Sequence, residues 1–333
     1  MKRCKYFLLA LALALLLPLP ARAAGYVDVD AAVSLTLNYH DGSAPLSGAA
    51  FSLYRVANID AYGELQVTDD FSSFKVDIDI RGENDEAWRA LASTLEGYVL
   101  ANNLTPADSG TTDRNGQLTF PTGEKKLQTG LYLVLGARHR QYGEYYDAVP
   151  FLVLLPTQDT ERNEWVYELS AEPKHIDHPI PDTPTTVTRR VLKVWDDDGA
   201  AESRPQSITV QLLRDGAVHD TVILNEANGW RWEWTGLDSS HRWTVIELTP
   251  EGYHVRITQE GVTFVVTNTI DTPDQPTTPD QPTTPDKPST PDKPSSPTLP
   301  QTGQLWWPVP VLLLSGAALL GIGLRRRKDT RDA

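Results

Sequence analysis

The residue pattern with the clearest chemical meaning lies near the end of the chain. The motif Leu299-Pro300-Gln301-Thr302-Gly303 precedes an apolar run over 305–324 and the basic cluster 325–328. About 20 apolar residues suffice to cross the hydrocarbon core of a membrane, and a basic cluster keeps its own end in the cytoplasm. The order of these parts over 299–333 therefore predicts a transmembrane helix with the pentapeptide just outside the membrane.

This arrangement resembles the sorting signal that Gram-positive sortases read. In such substrates the enzyme cuts between the Thr and Gly of L-P-x-T-G and joins the new Thr carboxyl to an amine on the cell wall or on another protein. The resemblance implies that Leu299, Pro300, Gln301, Thr302 and Gly303 form the sortase motif. The alternative is a single-pass membrane anchor in which L-P-Q-T-G occurs by chance.

The other end of the chain has the pattern of a secretory signal peptide. Basic residues at positions 2, 3 and 5 precede an apolar stretch over 6–17 and the small-residue site Ala21-Arg22-Ala23. We expect residues 1–23 to be removed, so that the mature chain begins near Ala24. The alternative is a permanent anchor, for which the apolar stretch is short. The single cysteine, Cys4, lies in this segment, so the mature chain has no disulfide, Cys nucleophile or Cys-ligated metal.

The mature segment, residues 24–302, is strongly acidic. It carries 21 Lys and Arg against 42 Asp and Glu, a net charge of −21. A surface with this balance is not expected to bind nucleic acid or teichoic acid by bulk electrostatics.

Residues 271–298 are predicted to be a proline-rich linker. From Pro273 the chain reads PDQPTT, PDQPTT, PDKPST, PDKPSS, with Pro at every third position. Proline fixes φ and lacks an N–H, which favours an extended polyproline II conformation. At about 3.1 Å per residue this stalk spans roughly 80 Å. A disordered spacer is the alternative, and it also has a long reach.

The first globular block, residues 26–176, is predicted to be mostly β with one inserted helix. Alternating apolar residues indicate strands at 27–29, 33–37, 48–56, 117–120, 130–135, 151–155 and 165–169. Between them, 84–103 is predicted to be a helix with Asn84 as its N-cap. Apolar residues fall on one face of this helix and predict a core-facing stripe: Trp88, Leu91, Leu95, Tyr98 and Val99.

The second block, residues 188–270, follows a boundary at 179–187 and is predicted to be an antiparallel β-sandwich. Seven short strands are expected at 190–195, 207–213, 218–224, 230–234, 243–247, 254–258 and 262–268. Asp215-Gly216 between two apolar strands is a strong hairpin signal. The fold class is therefore mostly β, with two Ig-like sandwich domains in tandem.

The second block resembles the B-type repeat domain of collagen adhesins and Gram-positive pilins, the Cna-B family. The resemblance rests on five segments: VLKVWDDDG (191–199), RPQSITVQLLRDG (204–216), NGWRWEW (228–234), WTVIELTPEGY (243–253) and TFVVTNT (263–269). In that family a Lys on the first strand bonds to an Asn on the last, helped by an acidic residue. By motif position these residues are Lys193, Asn268 and Glu247.

The implied chemistry needs these residue types. A Lys amine attacks an amide only when it is neutral, and burial lowers its pKa while raising that of a Glu. Displacement of ammonia from Asn268 then leaves an isopeptide bond, and strand alternation places Lys193 on the face of Val191 and Trp195. Treated like a disulfide of this loop size, the bond constrains the unfolded chain by roughly 4.5 kcal/mol. The alternative is three ordinary polar residues on a sandwich surface.

The first block resembles, more loosely, the N-terminal domain of SpaA-type pilins. The match is its end, which reads WVYELSAEPK over 165–174. In that family the segment ends W-x3-V-x-V-Y-P-K, and its Lys attacks the sortase acyl intermediate, which implies Lys174 as an acceptor. Glu172 replaces the Tyr, and Leu169 and Ala171 replace the two Val, so a solvated surface lysine is the alternative. Since 27–37 contains no Lys, we expect no internal crosslink in this block.

These features predict a secreted structural protein anchored to the cell wall of a Gram-positive cell, a pilin subunit of the shaft or of an ancillary or basal type. Expected partners are sortase and either peptidoglycan or other pilin subunits. Only the precursor is expected to be inserted in the membrane. The alternative is a monomeric adhesin that binds host matrix or glycan. No cofactor, metal site or enzymatic activity beyond single-turnover self-crosslinking is expected, because no nucleophile, metal or acid–base constellation of an enzyme stands out.

Overall fold

A computed structural model describes residues 25–78, 82–159, 161–197 and 200–270. The predicted signal peptide, proline-rich linker, sorting motif and transmembrane helix lie outside these residues. Among the helices in the described part, none has the length and apolar character needed to cross a membrane.

The first block is built from short strands and one helix. The strands are β1 Ser34–Asn38, β2 His40–Asp41, β3 Ala44–Pro45, β4 Ala50–Ile59, β5 Leu65–Val67, β6 Asp108–Thr111, β7 Gln117–Phe120, β8 Gly130–Gly136, β9 His139–Gln141, β10 Glu144–Ala148, β11 Phe151–Leu155, β12 Thr157–Asp159, β13 Glu164–Val166, β14 Glu168–Ala171 and β15 His175–Pro179. Helix α1 spans Asp85–Ala101 between β5 and β6.

Two main sheets enclose the core of the first block, and a third sheet, ordered β15-β10-β9, contributes the buried Tyr146 and Ala148 to it. One has the order β11-β8-β4-β5, with β6 also pairing to β4, and the other has the order β14-β1-β7. Side chains of β4 and β8 alternate between two faces, because successive residues of a strand point in opposite directions. One face meets the smaller sheet and buries Phe51, Leu53 and Tyr132. The opposite face buries Tyr54, Leu131 and Leu133.

Helix α1 confirms the helix prediction. The side-chain oxygen of Asn84 accepts hydrogen bonds from the backbone N–H groups of Glu86 and Ala87, as an N-cap does. The predicted stripe faces the core: Leu91, Leu95, Tyr98 and Val99 are buried, and Trp88 is partly buried against them.

Two strand predictions in the first block are wrong. The segment 27–29 is not a strand, because the side chain of Asp28 accepts the N–H of Asp30 and turns the chain. The segment 165–169 is broken at Tyr167, whose carbonyl accepts the N–H of Ser34. As a result β13 pairs with β12, while β14 pairs in parallel with β1.

The second block contains all seven predicted strands, each longer than expected and the first of them, with 11 residues, nearly twice as long. They are β16 Thr186–Asp196, β17 Ser207–Arg214, β18 Ala217–Asn225, β19 Arg231–Asp238, β20 Trp243–Leu248, β21 Tyr253–Glu260 and β22 Thr263–Ile270, with 3₁₀ helices at Ala201–Ser203 and Glu226–Asn228. Asp215 and Gly216 both have positive φ, 50° and 88°. This geometry confirms the hairpin and is that of a type I′ turn.

The seven strands form two sheets, ordered β19-β16-β22-β21 and β18-β17-β20. The expectation of a fully antiparallel sandwich is wrong at one place. The first strand, β16, lies beside the last, β22, and the two run parallel. The chain enters and leaves the block through neighbouring strands of one sheet.

Of the two hydrophobic clusters in the described residues, one is shared by both blocks. All described residues lie in one compact unit, and a single cluster of buried side chains includes Leu91 and Leu95 from α1 together with Ile246 and Ile257 from the second block. Helix α1 contacts β8 and β11 on one side and β20 and β21 on the other. The helix is therefore an interior element between the two blocks.

Candidate functional site

Strand pairing brings Lys193 and Asn268 to the same place. Lys193 lies on β16 and Asn268 on β22, and the parallel register pairs Lys193 with Val266 and Trp195 with Asn268. Residues two apart on a strand share a face, so both side chains point into the sandwich, where both residues are buried.

Glu247 reaches the same point from the opposite sheet. It lies on β20 and is buried. Its Oε1 atom lies 3.9 Å from the Nζ atom of Lys193 and accepts a hydrogen bond of 3.2 Å from the Nδ2 atom of Asn268. The structure thus brings together the three side chains that the family resemblance singled out.

The hydrogen bonds at this cluster leave two acceptors open. The Lys193 Nζ atom donates to the carbonyls of Val194, at 2.7 Å, and of Val266, at 3.2 Å. Within the described residues, Oε2 of Glu247 and Oδ1 of Asn268 have no hydrogen-bond partner. Rotation of the Asn268 amide by half a turn would bring Oδ1 to the carboxyl of Glu247, which can donate to it when protonated.

Burial shifts the pKa values of Lys193 and Glu247 in the directions that attack of the amine on the Asn268 amide requires. It lowers the pKa of Lys193 to about 8, although the Glu247 carboxylate acts to raise it. Burial also raises the pKa of Glu247 above its ordinary value, against the opposing effect of Lys193. Both shifts increase the fraction of the pair in which a neutral amine lies beside a neutral acid.

The arrangement contains the groups for a transfer of the Asn268 amide to Lys193. The neutral amine is the nucleophile, the amide carbon is the electrophile, and the protonated Glu247 can donate a hydrogen bond to the amide oxygen as charge develops there. Apolar surroundings exclude water, which would otherwise compete and restore ordinary pKa values.

Two further residues contact this cluster, and sequence reasoning missed one of them. The centre of the Trp195 ring lies 4.2 Å from the Nζ atom of Lys193, on the strand face where alternation predicts it. The hydroxyl of Tyr98, on helix α1, donates to the backbone carbonyl of Glu247 at 2.7 Å. Nothing local in the sequence signals this second contact, because the partners lie in different blocks.

Lys174 does not join the buried cluster. It is exposed on the short connection between β14 and β15, its carbonyl accepts the N–H of Val149, and the preceding Pro173 is buried. The residue borders an open groove of about 290 Å³ whose apolar lining includes Trp88 and Phe151. Its amine is therefore accessible to another molecule. The sorting motif 299–303 lies outside the described residues.

No group of three or more His, Cys, Asp or Glu side chains in the described part of the chain is placed to hold a metal ion.

Comparison with known families assigns each block separately. Residues 29–175 match the family described as Gram-positive pilin subunit D1, N-terminal domain, and residues 189–269 match the Cna protein B-type domain.

A curated relative is the collagen adhesin of Staphylococcus aureus, which is 38% identical over 102 residues, 28% of this chain and 9% of that protein. The chain thus spans about a tenth of that relative's length.

Solved structures with similarity include a B repeat unit of the S. aureus collagen-binding surface protein, at 19% identity and TM-score 0.25, covering 72% of this chain and 98% of that one. The full-length major pilin SpaD of Corynebacterium diphtheriae is 16% identical, with TM-score 0.28 and coverages of 73% and 65%. The SpaE basal pilin of Lactobacillus rhamnosus GG is 12% identical, with TM-score 0.30 and coverages of 69% and 85%.

Proposed function

We propose that this chain, a surface protein with a Gram-positive pilin D1 domain followed by a Cna protein B-type domain, is a pilin subunit that sortase attaches covalently through Thr302. The subunit is secreted, stands on the proline-rich linker over 271–298 and is a structural protein of the Gram-positive cell surface. Its only chemistry is a self-crosslink between Lys193 and Asn268, assisted by Glu247.

The observation that carries the crosslink is the burial of Lys193, Glu247 and Asn268 together, with Nζ 3.9 Å and Nδ2 3.2 Å from the same carboxylate oxygen. In the reaction, the Nζ–Cγ bond forms and the Cγ–Nδ2 bond of Asn268 breaks. The amine proton is transferred to the departing nitrogen through Glu247, and ammonia leaves. The carboxyl ends the reaction as it began, and no other reactant is needed.

Peptide mass spectrometry tests the crosslink directly. A protease digest of the wild-type protein is expected to contain one peptide that joins Lys193 to Asn268, with a mass lower by one ammonia. Lys193→Ala is expected to lack that peptide. Separate, unmodified Lys193 and Asn268 peptides in fully folded wild-type protein would refute the crosslink.

The exposed position of Lys174 beside an open groove supports its role as the polymerising amine. An immunoblot of cell-wall digests boiled in detergent tests this role. The wild type is expected to give a high-mass ladder that collapses to monomer in Lys174→Ala. Lys126→Ala, which changes another exposed lysine of the first block, is the matched control and should retain the ladder.

The other outcomes of this blot assign the function differently. A ladder that survives in Lys174→Ala would place another lysine or another subunit in the acceptor role. A single wall-linked band in every strain would favour a monomeric adhesin. The S. aureus relative in the comparison is a collagen adhesin, so binding of a soluble fragment over 24–270 to collagen would then be the next measurement.

A further inference from the structure

Helix α1 belongs to the first block, yet it covers the open side of the second sandwich. Strand β20 is an edge strand of one sheet and β21 is an edge strand of the other, and α1 packs against both. Edge strands leave backbone groups unpaired, and proteins protect such edges by pairing or covering them.

The first block supplies hydrogen bonds to β21. The N–H of Ile257 donates to the hydroxyl of Thr94 on α1 at 2.8 Å. The N–H of Val255 donates to the carbonyl of Lys75, in the segment that precedes the helix, also at 2.8 Å. Both are backbone groups on the free side of β21, so the first block completes that edge.

The backbone of α1 lies directly against β20. A Cβ atom added to Gly97 would lie 2.7 Å from the Cγ2 atom of Ile246 and 3.1 Å from the carbonyl oxygen of Val245. Glycine at this position therefore permits a close approach that no other residue allows without moving the strand or the helix.

One of these contacts falls on the residue that assists the crosslink. The hydroxyl of Tyr98 donates to the backbone carbonyl of Glu247 at 2.7 Å, and both groups are buried. The same hydroxyl lies 3.1 Å from the hydroxyl of Thr249, two residues further along. Tyr98 thus holds β20 at Glu247 and also holds the chain at Thr249, just beyond the end of the strand at Leu248.

We propose that helix α1 of the first domain contributes to crosslinking at the Lys193–Glu247–Asn268 site of the second domain. Tyr98 is a positioning residue that fixes β20 so that the Glu247 carboxyl faces Lys193 and Asn268, and the helix keeps water out of the sandwich edge. This inference rests on the proposed isopeptide bond. It implies that the bond forms only after the two domains have docked.

The rate of crosslinking is the measurement that tests this inference. The full chain is made by cell-free synthesis, samples are quenched at intervals, and the fraction of the joined Lys193–Asn268 peptide is followed by mass spectrometry. Tyr98→Phe removes one hydroxyl and keeps the ring. The half-time of crosslinking is expected to lengthen about 2- to 10-fold, as expected for one hydrogen bond.

A matched control separates positioning from general stability. Tyr132 is also a buried tyrosine of the first block, and its hydroxyl donates to the carbonyl of Gln128 within that block. Tyr132→Phe therefore removes an equivalent bond that does not touch the second block. It is expected to crosslink at the wild-type rate, even if its melting temperature falls as far as that of Tyr98→Phe.

The pH dependence of the crosslinking rate is a second measurement. It would not change if Tyr98 had a purely structural role. Glu247 and Asp197 act to raise the pKa of Lys193 and Arg204 acts to lower it, while Tyr98 faces Glu247 from α1. Crosslinking needs the neutral amine and the protonated acid, so its rate is bell-shaped in pH. Water admitted at a loosened edge would move the two pKa values apart towards their ordinary values, so Tyr98→Phe is expected to lower the maximum of the bell.

A second pair of variants keeps the test decisive if Tyr98→Phe fails to fold. Thr94→Val removes the hydroxyl that accepts from Ile257, and Thr94→Ser retains it. Slower crosslinking in Thr94→Val with recovery in Thr94→Ser supports the inference.

The outcomes distinguish this inference from the function on which it rests. If the wild type never yields the joined peptide, both are overturned. If the wild type crosslinks and the Tyr98 and Thr94 variants match it in rate and pH profile, only the role of α1 is overturned. Equal slowing of Tyr98→Phe and Tyr132→Phe would likewise overturn it, because a general loss of stability would then explain both.

Discussion

At the residue scale, burial of the unreacted Lys193 and Glu247 lowers the stability of the folded state. A buried ion pair recovers its loss of hydration only when further hydrogen bonds satisfy its remaining atoms, and one oxygen of Glu247 has no partner in the described part of the chain. Conversion of Lys193 and Asn268 into an amide removes the titratable amine and leaves a neutral group. The unreacted sandwich is thus destabilised by a buried amine that the reaction removes.

This cost gives a pH-dependent prediction for a chain that cannot react. In Asn268→Ala, Lys193 stays a free amine whose folded-state pKa is about 8, below the ordinary lysine value of about 10.4. Between these values the unfolded state binds a proton that the folded state does not. The free energy of unfolding is therefore expected to rise with pH in this window, by about 1.4 kcal/mol per pH unit.

Urea denaturation from pH 7.5 to 10.5 checks this prediction. The stability deficit of Asn268→Ala relative to wild type should shrink as the pH rises. Lys193→Met is the control, because it lacks both the crosslink and the amine, and its deficit should stay constant. Parallel curves for wild type and Asn268→Ala would contradict a depressed lysine pKa.

At the element scale, elements with a long periodic pattern were predictable and those without one were not. Helix α1 and the seven strands of the second block each carry a continuous pattern, and all were found. The two-residue strands His40–Asp41 and Ala44–Pro45 have no period of their own and exist because they pair with each other. The parallel pairing of β16 with β22 depends on distant chain segments, which local propensity does not encode.

The N-cap of α1 gives a prediction at this scale. Asn84→Ala removes the side-chain acceptor for the N–H groups of Glu86 and Ala87. The loss is expected to lower the free energy of unfolding by about 1 kcal/mol. Asn84→Asp keeps an acceptor at the same place and should stay within a few tenths of a kcal/mol of wild type. Thermal or urea unfolding of both variants checks this, and equal losses would show that the cap itself contributes nothing.

At the scale of the whole molecule, the two domains are one structural unit whose junction is partly charged. Both oxygens of the buried Glu96 carboxylate, on α1, lie near the guanidinium of Arg242 in the second block, at 2.8 and 3.0 Å. Burial raises the pKa of Glu96 although Arg242 acts to lower it. The candidate site could be predicted residue by residue from its motif, whereas this junction could not, since each partner looks like an ordinary surface charge in its own block.

The Glu96–Arg242 pair at this junction predicts that loss of Arg242 lowers stability by an amount that depends on pH. Arg242→Met leaves Glu96 buried without its cation and is expected to cost about 3 kcal/mol at pH 7. Because burial raises the pKa of Glu96, the folded state binds the proton at a higher pH than the unfolded state does. The loss should therefore shrink as the pH falls towards the ordinary glutamate value near 4.3.

Denaturation of Arg242→Met at pH 7 and at pH 4.5 checks the sign of this effect. The double variant Glu96→Gln/Arg242→Met removes the buried charge and should recover much of the stability at pH 7. A loss that is the same at both pH values would indicate that Arg242 contributes through packing and not through charge.

Because β16 lies beside β22, the first and last strands of the second domain can be joined covalently. This placement determines which segments of the chain would bear tension when the subunit is pulled. If Thr302 is fixed to the wall and Lys174 is joined to the next subunit, as proposed, the covalent route would run from 174 to 193, cross the proposed crosslink and leave through 268. Strands β17 to β21 and nearly all of the first domain lie off this route, so they bear no pull along their backbone. The first part to extend would be 175–185, which includes β15, held to β10 by an antiparallel ladder. Its release adds at most roughly 35 Å of chain, so the subunit would lengthen by a short, fixed distance through the loss of β15 alone.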